Sequence, residues 1–210
     1  MPTSKPLLVG VTGGIGSGKS TVCKIFEVLS VPVYNSDNRA KALMVEDKEL
    51  VEEIKAAFGE EAYLDNKNLN RNFLAKEVFS NPSKLETLNS LVHPAVGRDF
   101  ASWVAVQSNQ PYVIKEAALL FETGSHNSLD SVVLVTAPEE VRVSRVLARD
   151  PQRSEKQVRD IIGNQLKDEE KKKLADYVLN NNEQELLVPE VVALHETLLT
   201  NAAKIAAKEV

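Results

Sequence analysis

The chain has a single cysteine, Cys23, among its 210 residues, so no disulfide can form within it. Cys23 reads as a small buried residue rather than a nucleophile. No apolar run approaches the roughly 18 residues that a membrane-spanning helix requires. The N-terminus reads as a strand rather than a signal peptide, so the expected compartment is the cytosol and no membrane partner is expected. An excess of positive charge is also missing: 25 Lys and Arg against 30 Asp and Glu give a net charge of -5. That balance argues against broad sequence-independent nucleic-acid binding, which depends on neutralising many phosphates. It leaves room for a local basic site that takes a phosphorylated small molecule. His126 and His195 have no ligand-like neighbours in sequence, and neither repeats nor low-complexity linkers occur.

What remains is an ordinary globular composition, 43% hydrophobic and 26% charged. The length suits one domain, or one domain with an elaborated insertion. Its most informative stretch is Gly13-Gly14-Ile15-Gly16-Ser17-Gly18-Lys19-Ser20. This fits the pattern of Gly, four residues, Gly, Lys and Ser that wraps a nucleotide's phosphates. The flanks suit it. Pro6-Leu7-Leu8-Val9-Gly10-Val11-Thr12 reads as a buried strand, and residues 20–30 read as a helix. Glycines let backbone N–H groups turn inward on a polyphosphate, Lys19 offers a point charge, and the Ser20 hydroxyl suits Mg²⁺. The N-terminus of the helix adds a favourable dipole.

Further buried strands are predicted at Val31-Pro32-Val33-Tyr34-Asn35, Pro111-Tyr112-Val113-Ile114-Lys115-Glu116, Ser131-Val132-Val133-Leu134-Val135 and Tyr177-Val178-Leu179-Asn180-Asn181. Apolar strands alternating with helices predict an α/β fold, a parallel sheet covered on both faces. Helix starts are predicted at Thr136-Ala137-Pro138-Glu139, read as a capping box, at Ser83-Lys84-Leu85-Glu86, and at Ser154-Glu155-Lys156-Gln157. Residues 50–58 are an amphipathic helix by spacing, and 186–207 a C-terminal helix packing on the sheet. Between Asp37 and Trp103 the signal is helical, and the stretch is longer than a crossover needs. We read one domain with a core of about 1–36, 104–140 and 170–210, a helical substrate-binding insertion of about 37–103, and a lid of about 141–169.

Chemistry-bearing residues gather around that frame. Asn35-Ser36-Asp37 closes the strand after the first helix, at the sheet edge where open parallel sheets bind ligands. Asp37 there either accepts the proton of an attacking hydroxyl or caps the next helix. Arg142, Arg145 and Arg149 share a helix face, with Arg153 and Arg159 beyond the Asp150-Pro151 break. They form either a lid over phosphates or a solvated face with scattered ion pairs. His93-Pro94, after the predicted helix at 85–91, reads first as a structural residue near a helix end, with a phosphate contact as the alternative. Lys171-Lys172-Lys173 beside Glu169-Glu170 reads as a solvated helix face.

Some nucleotide signatures are absent. Asn66-Lys67-Asn68-Leu69 lacks the aspartate of the guanine-specificity motif, and Asp160-Ile161-Ile162-Gly163 falls inside a predicted helix. The strand at 132–135 ends in Thr136-Ala137, without the acidic pair of a motor ATPase. The residues therefore favour a small-metabolite kinase over a regulatory nucleotide switch, with a nucleoside or nucleotide as an alternative acceptor.

Taken in order along the chain, these motifs resemble the dephospho-CoA kinase family over nearly the whole length. The resemblance rests on residues 11–21 at the phosphate loop, Val33-Tyr34-Asn35-Ser36-Asp37, Leu69-Asn70-Arg71 and Val78-Phe79. It continues through His93-Pro94, Leu119-Leu120-Phe121-Glu122, residues 145–150, Gln165, Ala175-Asp176-Tyr177-Val178 and Asn180-Asn181. It implies a P-loop NTPase-like fold and ATP-dependent phosphorylation of the ribose 3′-hydroxyl of dephospho-CoA, with ATP and Mg²⁺ as cofactors. It further implies that ATP is held by Gly13, Gly14, Ile15, Gly16, Ser17, Gly18, Lys19, Ser20, Thr21 and Arg149, with Ser20 on the metal. Asp37, Lys19 and Arg145 would be catalytic, and Thr12, Asp37, His93 and Arg145 would face dephospho-CoA. Two departures stand out: Asn35 where the family often has an acidic residue, and Ala118 where it usually has proline.

Overall fold

A computed structural model describes residues 5–65, 68–79 and 81–207; Asn66 and Lys67 of the incomplete guanine motif lie outside them. In chain order the elements begin β1 (Leu7–Thr12), α1 (Lys19–Val28), β2 (Val33–Asn35), α2 (Ser36–Glu46) and α3 (Lys48–Phe58). Next come β3 (Tyr63–Asp65), β4 (Asn68–Leu69), α4 (Arg71–Phe79), α5 (Pro82–Ala105), β5 (Tyr112–Glu116) and β6 (Ser131–Thr136). The chain finishes with α6 (Glu139–Arg149), α7 (Glu155–Gly163), α8 (Asp168–Leu174), β7 (Tyr177–Asn180) and α9 (Leu187–Ala206). Two compact units result, one running to Asn35 and resuming at Gln107, the other Ser36–Val106.

The first unit is built on a five-stranded sheet in the order β2-β5-β1-β6-β7. Its pairings are all parallel, with Val9 opposite Ile114 and Val133 opposite Tyr177. Strands buried on both faces need continuous apolar runs, and β1 is buried along its whole length. One face presents Val9, Val11, Tyr112, Ile114, Val133 and Val135 to Phe26 of α1 and to Val191 and Leu198 of α9. The other carries Val132 and Leu134, which cluster with Leu120 and Phe121 of the segment after β5 and with Leu166 and Ala175. The α6–α7 hairpin has a small core of its own, Val143, Val146 and Val158. Arg159 of α7 ties the two helices together through Glu139 at 2.8 Å and Glu140 at 2.9 Å of α6, and bonds Glu155 within its own helix at 2.9 Å.

The second unit packs α2, α3 and α4 against the 24-residue α5. Arg39 of α2 grips Asp99 of α5 with two bonds of 2.9 Å, and the Tyr63 hydroxyl donates to the Met44 carbonyl at 2.7 Å. A short β3–β4 hairpin sits among these helices, where the sequence shows little strand character.

Several expectations change here. His93-Pro94 does not follow a helix end, because α5 runs straight through it. Proline at that position denies the Ser90 carbonyl its helical donor, but Val92, Ala95 and Val96 beside it are buried and hold the helix. His93 is therefore an exposed mid-helix residue, not a capping one. Asn81, not Ser83, caps α5, its side chain accepting the Ser83 N–H. Thr136 does not cap α6 either; it ends β6 and donates its hydroxyl to Asn180 Oδ1 at 2.9 Å. The capping box at Ser154 and Gln157 is complete. No helix among the described residues is long and apolar enough to cross a membrane.

Lys171 overturns the reading of its run as a solvated face. Its side chain is fully buried, with Nζ 2.9 Å from Glu122 Oε1, whereas Lys172 pairs with exposed Glu169. Glu122 also accepts the Leu166 N–H at 3.1 Å, so one carboxylate holds α8 and the segment before it to the loop after β5. Removing one partner of a buried pair leaves the other uncompensated. Glu122→Leu, which strands the fully buried Lys171 ammonium, should cost about 3 kcal/mol and lower the Tm by roughly 6–12 °C, followed by calorimetry. Glu122→Leu with Lys171→Met should recover much of that loss; a double variant as unstable as the single one would contradict the pairing.

Candidate active site

Strand β1 ends at Thr12 and α1 begins at Lys19, so the glycine-rich loop bridges a buried strand end and a helix N-terminus. The first N–H groups of α1 have no partner within the helix, and its dipole favours an anion there. The backbone reaches this geometry through left-handed turns at Gly16 (φ 78°) and Gly18 (φ 96°). A Cβ on Gly18 would meet Asn181 Nδ2 at 2.1 Å, and one on Gly14 would meet Arg142 Nη2 at 2.1 Å.

The loop's carbonyls are engaged one after another. Lys19 Nζ donates to the Gly13 carbonyl at 2.7 Å and reaches the Gly14 carbonyl at 3.3 Å. Arg142 Nε donates to Ile15 at 2.9 Å, and Asn181 Nδ2 to Ser17 at 2.9 Å. The Ile15 N–H donates to Gln165 Oε1 at 2.9 Å. Asn181 is itself held by Arg145, whose Nη2 donates to its Oδ1 at 3.2 Å. Arg145 Nη1 is buried with no hydrogen-bond partner among the described residues.

Beneath the start of α1 lies Glu116, at the C-terminal end of β5 and itself buried. Its Oε1 accepts from the Ser20 hydroxyl at 3.1 Å and its Oε2 from Asn35 Nδ2 at 2.7 Å. A hydroxyl and a carboxylate are the hard oxygen donors that suit Mg²⁺, which keeps few protein ligands and takes the rest from water and phosphate. Asn35 therefore contributes to this edge by orienting Glu116. Thr12 is buried, its hydroxyl donating to the Ala118 carbonyl at 3.3 Å. Cys23, one turn beyond Lys19, is buried, and its thiol is pushed far above the ordinary range by burial and then by the charge of Glu116.

The arginines separate. Arg142 and Arg145 turn to the loop. Arg149 is bidentate on Asp150 at 3.0 and 2.9 Å, Arg153 joins the same carboxylate at 3.3 Å, and Arg159 ties α6 to α7. The Asp150 carboxyl is held below its usual range, first by its bonds to Arg149. Asp37 is exposed in the first turn of α2, in the second unit, as is His93 along α5. Sequence reasoning missed Glu116, read Arg142 only as one of the lid or surface arginines rather than a brace of the loop, and gave no role to Asn181 or Gln165. An acidic residue ending an apolar strand, Val113-Ile114-Lys115-Glu116, was the available signal for the first.

A phosphate loop between strand and helix, on a parallel sheet with a carboxylate at the neighbouring strand end, defines a P-loop NTPase-like nucleotide site. The family model for dephospho-CoA kinase matches residues 7–186. A dephospho-CoA kinase of Chlorobium chlorochromatii is 42% identical, covering 96% of this chain and 98% of its own. One of Porphyromonas gingivalis is 37% identical over 92% and 95%. Among solved structures, TT1252 from Thermus thermophilus superposes with a TM-score of 0.77 at 36% identity, covering 99% of both chains. Dephospho-CoA kinase from Campylobacter jejuni gives 0.69 at 25% identity, over 92% of this chain and 98% of that one. The chain belongs to the dephospho-CoA kinase family.

A thiol held protonated and out of contact with solvent is a poor nucleophile. Cys23 should stay unreactive toward Ellman's reagent at pH 8 in the native protein and release one equivalent on denaturation. Rapid labelling without unfolding would contradict its burial.

Proposed function

We propose that the protein transfers the γ-phosphoryl group of ATP to the ribose 3′-hydroxyl of dephospho-CoA, giving coenzyme A and ADP in the last step of CoA synthesis, in the cytosol. The observation that carries this reading is a phosphate loop braced by Lys19, Arg142 and Asn181 in a chain of this family. Ser20 and Glu116 are the residues that would hold Mg²⁺, with Glu116 acting on it directly or through water. Bound there, Mg²⁺ supplies charge neutralisation on the outer phosphates.

The protein's own groups then divide the work. Gly13, Gly14, Ile15, Gly16, Ser17, Gly18 and Thr21 build the cradle. Lys19 offers its ammonium to the phosphate oxygens while holding the loop carbonyls. Asp37 accepts the proton as the ribose oxygen attacks the γ-phosphorus and the bond to the β,γ-bridging oxygen breaks, so ADP leaves. Arg145, whose buried Nη1 has no hydrogen-bond partner among the described residues beside its bonds to Asn181 and Glu183, reaches the transferring group and stabilises its charge. Arg149 joins it only by releasing Asp150. We assign the Ser36–Val106 unit, including His93, together with Thr12, to dephospho-CoA, and the α6–α7 hairpin to the lid.

Purified protein incubated with MgATP and dephospho-CoA should form CoA and ADP in equal amounts by mass spectrometry. Asp37→Asn should lower kcat by roughly 10²–10⁴ while MgATP still binds; unchanged turnover would remove Asp37 as the base. Lys19→Ala should impair both binding and transfer. ADP without CoA would discard this acceptor, and slow acceptor-independent hydrolysis stimulated by a second protein would favour a nucleotide switch.

A further inference from the structure

Arg142 is an uneconomical residue to bury for stability alone. Its side chain is only 7% exposed, and taking a guanidinium out of water is costly unless its donors are satisfied. Three bonds to two segments far apart in sequence, the phosphate loop and the α7–α8 junction, hold it there. Nε donates to the Ile15 carbonyl at 2.9 Å, Nη2 to Gln165 Oε1 at 3.4 Å, and Nη1 to Asp168 Oδ2 at 3.4 Å. Gln165 Oε1 also accepts the Ile15 N–H at 2.9 Å, so both ends of one phosphate-loop residue are gripped, its N–H by Gln165 and its carbonyl by Arg142. The loop is moulded to this arrangement, since Gly14 leaves room for the guanidinium and Gly16 for the Arg142 backbone.

Gln165 lies just past the end of α7, and Asp168 opens α8. Between them, the Leu166 N–H is fixed to Glu122, which also pairs with buried Lys171. The segment leaving the α6–α7 hairpin is thus anchored on one side to the loop after β5 and on the other to the phosphate loop.

We infer that Gln165 and Arg142 are positioning residues for ATP: by gripping Ile15 at its N–H and its carbonyl, they hold the phosphate loop in its anion-binding form and couple that form to the α7–α8 junction. The inference rests on the reading that the loop binds ATP. A carbonyl released from Arg142 is free to turn toward the phosphates and repel them. A loop residue released from Gln165 must be ordered again at each binding event. Gln165 acts through the Ile15 N–H, so its loss should register in nucleotide affinity and leave the acceptor side unchanged.

The test is MgATP titration of the intact protein by calorimetry, alongside steady-state kinetics with both substrates. Gln165→Ala should weaken MgATP binding and raise its KM about tenfold, the equivalent of about 1.4 kcal/mol and of one hydrogen bond. The KM for dephospho-CoA should stay within about twofold and kcat within about threefold. If Gln165→Ala does not fold, Gln165→Asn, whose side chain is one methylene shorter, should give the same pattern. Hydrogen exchange without nucleotide adds an independent readout: the Ile15 amide should exchange at least about tenfold faster in the variant. A variant that binds MgATP like the wild type, or that raises both KM values equally, would overturn the inference while the kinase reading stands. Wild-type protein that fails to bind MgATP at all would overturn both.

Discussion

A loop that binds an anion through its N–H groups must first dispose of its carbonyls, since each peptide brings one of each. That constraint organises the first unit. The carbonyls of Gly13 and Gly14 go to Lys19, that of Ile15 to Arg142 and that of Ser17 to Asn181. Each donor comes from a different part of the chain: α1 itself, α6, and the end of β7. The parallel sheet matters because it delivers those parts to one edge. Strands β1, β5, β6 and β7 run parallel and end at the same side, which brings Thr12, Glu116, Thr136 and Asn180 to one edge.

The acidic counterpart lies one strand over. Glu116 is buried, and it accepts from Ser20 and Asn35 together. A carboxylate fixed by two donors cannot swing into the loop and repel a phosphate, yet keeps lone pairs for a cation or its waters. The same economy explains the arginines. Five are close in sequence, but only Arg142 and Arg145 are bonded to the loop or to Asn181 that braces it, while also pairing with Asp168 and Glu183; Arg149, Arg153 and Arg159 are held only by the nearby carboxylates of Asp150, Glu139, Glu140 and Glu155. Local pairing keeps excess positive charge from collecting at the hairpin surface, where it would be screened and of little use.

What could be read from the sequence was whatever depends on neighbours along the chain. Apolar runs located the strands β1, β5 and β6 to within a residue at each end, and the loop motif located the phosphate site. The Ser154 box was legible because both its bonds are local. Thr136 misled, since its hydroxyl finds Asn180 across the β6–β7 pair before it can serve as a cap. Lys171 misled for a similar reason: three lysines beside two glutamates look solvated until Glu122, far away in sequence, is brought against one of them. Pro94 looked like a helix end because proline usually is one, and only the burial of Val92, Ala95 and Val96 reverses that local preference. Arg142, Asn181 and Gln165 are polar groups whose partners are backbone atoms more than a hundred residues away, and no periodicity announces such a bond.

The glycines of the loop carry this point furthest. In a phosphate loop a missing side chain is ordinarily explained by the ligand's need to approach the backbone. Here Gly14 and Gly18 already meet protein before any ligand is considered, the first against the Arg142 guanidinium and the second against the Asn181 amide. Gly18 has the further requirement of a left-handed backbone. The motif therefore encodes two fits at once, to the anion on one side and to the bracing side chains on the other. A chain that kept the loop but changed Arg142 or Asn181 would satisfy the motif on paper while losing the support that turns its carbonyls away. The phosphate site is in that sense a property of α6, β7 and the α7–α8 junction as much as of the glycine-rich loop.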